Sequence, residues 1–196
     1  MPSPRKTTDA AIVAAARKLL ERRGRDGFAM ADVARLVGIR APSLYNRFAD
    51  RAALVAAVEL EVLHDLAAKI AAVPAARDPL RGLTAQARVY RAFAKAHPAG
   101  YALIYDPSAA RTAAGVTARA TALAPTMPYF AALVGPAHAL AAARVLAPFM
   151  HGFVAMELAG AFRLGGGPAE LDRAFDHGVA TIVRGLAQPE PRHRAR

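Results

Sequence analysis

The sequence predicts an all-α protein, a helix-turn-helix head followed by a larger helical body, and three observations carry that expectation. Apolar residues recur at three- and four-residue steps over most of the 196 residues, the spacing of a buried helix face. Pro74, Pro79, Pro98, Pro107, Pro136 and Pro168 fall at gaps between those runs, where proline ends one helix or fills the first turn of the next. The net charge of +11 is uneven: residues 1–51 carry 11 Lys or Arg against 5 acids, whereas residues 52–183 carry 11 against 9 and residues 184–196 carry 4 against 1.

Taken in order, Ile12, Ala16, Leu19 and Leu20 share one face and predict a helix over 7–23. Two short segments follow, 30–37 and 41–47, separated by Gly38, whose freedom at positive φ suits a tight turn. Leu54, Val58, Val62, Leu66 and Ile70 recur at i+4 steps and predict a helix over 50–72, with Asp50 placed to cap it. Further helices are expected over 79–96, 98–105, 116–133, 137–163 and 168–186. The glycine run 165–167 follows a helical pattern rather than a strand and has no Lys-Ser or Lys-Thr after it, so it reads as a helix break and not a phosphate cradle. The expected organisation is a head over 1–50, a body over 51–188 and a basic tail over 189–196 that is too charged to fold.

Composition narrows the function. With 55% hydrophobic residues the chain can bury a core, and with no cysteine it has neither disulfides nor thiolate chemistry. The opening "MPSPRKTTDAAIVAAARKLL" lacks the apolar region of a secretory signal, and the weakly charged stretch 120–143 is broken by Pro125, Pro128, Gly135 and Pro136. A cytoplasmic protein with no membrane span is the expectation. His97, His138, His151 and His177 show no His-x-x-x-His spacing, and His151 and Glu157 fall on different faces of one helix. No metal, cofactor or catalytic site is expected. A polyanion, nucleic acid first, is the partner that the basic head suggests.

Within the head, Val33, Ala34 and Val37 turn inward, Gly38 makes the turn, Ile39 plugs the corner, and Leu44 and Phe48 point back to the same core. Ala41, Pro42, Ser43, Tyr45, Asn46 and Arg47 are then left facing outward. Asn suits an adenine edge, Arg a guanine or a phosphate, and Pro42 and Ala41 a thymine methyl, while Ser43 and Tyr45 suit phosphates. Arg40 and Arg51 flank this helix. Arg51 begins a helix whose N-terminus also attracts phosphate, and Arg5 and Lys6 precede the first helix, within reach of backbone or minor groove.

The stretch "MADVARLVGIRAPSLYNRFADRAALVAAV", 30–58, resembles the DNA-binding signature of the TetR family of bacterial transcriptional repressors. "HPAGYALIY", 97–105, and "FMHGFVAMELAGAF", 149–162, are similar to segments of a subgroup with a Trp-His-Gly motif, although Met150 stands at the tryptophan position. The resemblance implies an all-helical homodimer whose body binds a small effector and thereby loosens a grip on a double-stranded operator. It places DNA contacts on Ala41, Pro42, Ser43, Tyr45, Asn46, Arg47 and Arg51, and on Met30 and Ala31 at the start of the second helix. Ala29 and Arg40 stand where the family often has polar caps.

For the body, the helix 137–163 carries Leu146, Phe149, Met150, Phe153 and Met156, with the small residues Gly152, Ala155, Ala159 and Gly160 nearby. The helix 168–186 offers Leu171, Phe175, Val179, Ile182 and Leu186. Together they can form a four-helix contact between two copies. Tyr101, Tyr105, Phe130, Met150, His151 and Phe153 are the candidate lining of an effector pocket, either as a set that takes an apolar or aromatic molecule or as plain core. The reading that follows is a ligand-responsive regulator, most simply a repressor. The alternative is a small-molecule binding protein whose head holds DNA without sequence preference.

Overall fold

The computed structural model describes residues 7–106, 112–165 and 167–188. Their regular elements are α1 (Asp9–Arg23), α2 (Met30–Val37), α3 (Ala41–Tyr45), α4 (Arg51–Ala71), α5 (Pro79–Ala96), α6 (Pro98–Ile104), α7 (Ala113–Leu123), a 3-10 turn (Ala124–Thr126), α8 (Met127–Val134), α9 (Ala139–Leu158) and α10 (Pro168–Leu186). Arg5, Lys6, Gly166 and the tail 189–196 lie outside the described residues.

Local chemistry sets most of the boundaries. The Thr8 hydroxyl accepts from the Ala11 N–H at 3.2 Å and starts α1, and the Asp50 carboxylate accepts from the Ala53 N–H at 2.7 Å and starts α4 as expected. Gly38 lies in the left-handed region at φ 72°, which a side chain would resist. Three predicted helices end differently. The run 116–133 is interrupted by the 3-10 turn because Pro125 and Pro128 cannot donate to the helical ladder. α9 stops at Leu158, where Gly160 turns at φ 67°. α3 ends at Tyr45, two residues short of the predicted limit, with two more helical hydrogen bonds, from Asn46 N–H to the Pro42 carbonyl and from Phe48 N–H to the Leu44 carbonyl.

The chain divides into two compact units, Met1–Leu66 with Ala96–Thr121, and Ala67–Lys95 with Ala122–Arg196. In the first unit the apolar row of α1, with Ile12, Ala16 and Leu20, closes on Phe28, Val33, Leu44, Leu54 and Val58, all buried. The α6 helix belongs to this unit. The Glu21 carboxylate accepts from the Ala99 N–H at 3.1 Å and the Gly100 N–H at 2.9 Å, satisfying two donors at the start of α6.

The second unit is built around α9, whose inner face packs against α8 and α10. By length and composition α9 is apolar enough to cross a membrane, with a mean hydropathy of 1.5. Its outer face shows Leu140, Val145, Met156 and Leu158 to solvent. Phe149 sits so close to α10 that a Cβ on Gly178 would lie 2.1 Å from its ring, and its ring stacks with Phe175 at 6.1 Å between centroids.

A buried cation ties these helices together. Arg91 of α5 is 7% exposed. It donates to both carboxylate oxygens of Glu157 at 2.6 and 2.7 Å and to Asp172 at 2.6 Å, and its guanidinium lies over the rings of Phe153 and Phe175. Hydrogen bonds from Arg91 are the main cause that holds the Glu157 carboxyl below its ordinary range, against the opposing effect of burial. Removing one partner from such a pair strands a buried charge.

Arg91→Ala should therefore lower the unfolding free energy in urea by about 3–5 kcal/mol, whereas Arg88→Ala, which breaks the more exposed Arg88–Asp176 pair, should cost under about 1 kcal/mol. Because the folded pKa of Glu157 is depressed, its contribution is complete above the unfolded carboxyl value and is lost as pH falls through the folded one. Urea midpoints followed from pH 7 down to about 3 should drop more steeply for the native chain than for Glu157→Gln.

Candidate nucleic-acid interface

A five-residue helix offers few positions, and α3 gives only one of them to the core. Leu44 is fully buried, while Pro42, Ser43, Tyr45 and Asn46 are exposed and Ala41 is partly so. Tyr45, at 51% exposure, is a large apolar ring left in solvent. The turn that leads into α3 is fixed by Gly38 and by the Ile39 N–H donating to the Ala34 carbonyl at 3.0 Å. Arg40 occupies the N-cap without a side-chain cap bond and is exposed; among the described residues it has no ion-pair partner.

The second helix has a half-formed cap. Ala29 has no side-chain acceptor to offer, and the Asp32 carboxylate accepts from the Ala29 N–H at 3.0 Å. That backbone bond is the largest cause lowering the Asp32 pKa, with Arg23 and Arg35 adding to it. Ala31 is exposed at the head of α2. Met30 differs from its expected place: its side chain is 5% exposed and belongs to the core of the first unit. The apolar row of α2 required this, since Met30, Val33 and Ala34 share one face at helical spacing.

Arg51 also has a different setting from the one its position at a helix start suggested. Its guanidinium lies 4.9 Å from the centre of the Phe28 ring, donates to the Phe28 carbonyl at 3.1 Å and donates to the Arg25 carbonyl. The side chain thus staples the α1–α2 connection to the start of α4. Arg47, two residues beyond the end of α3, donates through Nη1 to Asp9 at 2.7 Å. Phe28 and Asp9 were not among the residues picked out from sequence, and neither carries a local signal, because each acts across more than twenty positions of chain.

The six effector candidates fall in two groups. Tyr101 and Tyr105 belong to the first unit, with ring centroids 5.4 Å apart, Tyr101 buried and Tyr105 exposed. Phe130, Met150, His151 and Phe153 belong to the second. Phe130 is buried there, and Phe153 meets Phe162 and Phe175 at 4.9 and 5.2 Å between centroids. Burial pushes the His151 imidazole below the ordinary histidine value, which favours its neutral form. Among the described residues no cluster of three His, Cys, Asp or Glu side chains is arranged to hold a metal ion.

A glycine turn between two short helices, an inward apolar set and a polar third helix together define a helix-turn-helix DNA-binding protein. The family profile described as bacterial regulatory proteins, tetR family, matches residues 12–58, and that described as tetracyclin repressor-like, C-terminal domain, matches residues 83–182. The chain belongs to the TetR family of transcriptional regulators. No curated protein matches it. A protein of unknown function from Rhodococcus sp. RHA1 is 26% identical with a TM-score of 0.78, over 96% of this chain and 100% of that one. Mycobacterium smegmatis BioQ is 24% identical with a TM-score of 0.66, over 92% and 98% of the two chains. A TetR variant from Acinetobacter baumannii AYE in complex with minocycline is 21% identical with a TM-score of 0.67, over 92% and 97%. The last two likenesses are of fold.

Arg51→Ala should lower the unfolding free energy by about 1–3 kcal/mol, the size of lost charged hydrogen bonds and a ring contact, while Arg40→Ala should change it by less than about 0.5 kcal/mol. Urea unfolding of both variants checks the contrast.

Proposed function

We propose that the chain is a repressor that binds a near-palindromic operator as a homodimer and is released by a small apolar or aromatic molecule. The observation that carries this reading is the outward face of α3, where Pro42, Ser43, Tyr45 and Asn46 stand exposed around one buried leucine. A face of this composition has no use in the core and matches the edges and phosphates of a major groove. Ala41, Arg47 and Arg40, which has no ion-pair partner among the described residues, complete it.

The dimer reading is supported by the body. The outer face of α9 exposes Leu140, Val145, Met156 and Leu158, and α10 leaves Leu171, Ile182 and Leu186 half-buried beside its core row. An apolar surface of this extent on two adjacent helices suits a second copy. In a twofold arrangement the two α3 helices would meet half-sites about 34–36 Å apart.

The effector reading assigns Phe130, Met150, His151 and Phe153 of the second unit to a ligand-binding site, with the imidazole of His151 as a polar anchor. α4, which contributes residues to both units, is the lever in this account. A typical coupling of about 1–3 kcal/mol would weaken operator binding some 5- to 150-fold when effector is bound.

The test is fluorescence anisotropy on a duplex that the full-length protein selects from a random-sequence pool, against its scrambled counterpart. Tyr45→Ala combined with Arg47→Ala should reduce affinity for the selected duplex about 100-fold or more, since each lost base or phosphate contact costs about 1–3 kcal/mol. Thermal unfolding should move little, because Tyr45 is half exposed and Arg47 loses only a surface ion pair to Asp9. Undiminished affinity in a folded double variant would remove α3 from the role.

A further inference from the structure

The structure assigns Asp9 a role in DNA readout: it is a positioning residue that tethers Arg47 and fixes the guanidinium for sequence discrimination. This rests on the reading of α3 as the recognition helix. The Asp9 Oδ1 accepts from Arg47 Nη1 at 2.7 Å, and among the described residues it is the only ion-pair partner of that guanidinium. One nitrogen is therefore engaged, while among the described residues Nε and Nη2 have no acceptor. A guanidinium reads a guanine or a phosphate with two donors in a planar fork, so a single tether at Nη1 restrains the group and leaves a reading edge open.

The acid is itself held in place. Asp9 is the first residue of α1, directly after Thr8, whose hydroxyl caps the Ala11 N–H, and a carboxylate is favoured at that positive helix end. Its backbone is set by the same α1 that forms the core of the first unit. Arg47 has no comparable support, since it lies beyond the last residue of α3 on a turn. A long side chain on a turn loses rotamer freedom when it binds DNA, and the tether removes part of that freedom in advance.

The surrounding cations divide the work. Arg51 is consumed by the Phe28 ring and two backbone carbonyls, and Arg40 is exposed and unpaired among the described residues. Arg40 can attract any phosphate. Of these three arginines, Arg47 combines donors without an acceptor among the described residues with a fixed position, and the negative charge of Asp9 beside it disfavours phosphate in general. The pair thus favours a particular base pattern over non-specific duplex.

Selection from a random-sequence pool with full-length native protein, Asp9→Asn and Arg47→Ala tests the assignment, followed by anisotropy on the natively selected duplex and its scrambled form. Asp9→Asn should lower the ratio of selected to scrambled affinity about two- to five-fold, the size of one exposed ion pair. The loss of discrimination should fall at the same base-pair position in each half-site that Arg47→Ala loses, and Asp9→Glu should restore most of it. Equal increases in affinity for both duplexes, with an unchanged base profile, would reduce Asp9 to a bulk charge and overturn the assignment. A profile altered at positions that Arg47→Ala does not touch would overturn it too. A pool in which native protein enriches nothing would overturn the recognition-helix reading itself and this inference with it.

Discussion

A helix of five residues has no stability of its own, because the cost of nucleation exceeds what one turn of hydrogen bonds returns. α3 exists because Leu44 is fully buried and the helix packs on α2. Everything the head presents to a partner follows from that one anchor. With Leu44 inward, the pitch of the helix sends Pro42, Ser43, Tyr45 and Asn46 to solvent, and the left-handed Gly38 sets the angle at which they emerge. The polar face is thus positioned by apolar burial.

Charge is arranged around this anchor with equal economy. The head is rich in arginine, yet most of its described guanidinium groups are committed within the fold: Arg17 to Glu61 and Asp65, Arg23 and Arg35 to Asp32, Arg25 to Asp106 and Arg51 to backbone carbonyls. Net charge alone overstates how many cations are available to DNA. In the second unit the same device serves stability, where Arg91 joins α5 to Glu157 and Asp172 beneath two phenylalanine rings.

Much of this was legible in the sequence. The rows Ile12–Ala16–Leu20 and Leu54–Val58–Val62 announced their helices, and they are buried as their spacing required. The turn at Gly38 and the outward positions of α3 followed from the same periodicity. The breaks at Pro125 and Gly160 were visible as residues but not as boundaries, because apolar composition continued through them. What sequence could not supply were contacts set by the tertiary fold. Arg47 meets Asp9 across 38 positions, Arg91 meets Glu157 across 66, and Glu21 meets Gly100 across 79. No spacing rule joins such residues, and Met30, which the family resemblance placed among the DNA contacts, lies in the core.

The central claim is that the surface built on Leu44 is where DNA binds. Hydrogen exchange of the full chain, with and without a duplex selected from a random pool, tests it most directly. The account predicts new protection at the backbone of residues 40–50, around α3 and the entry to α4. Protection confined to α5, α8 or α10, with residues 40–50 exchanging as in the free protein, would contradict it.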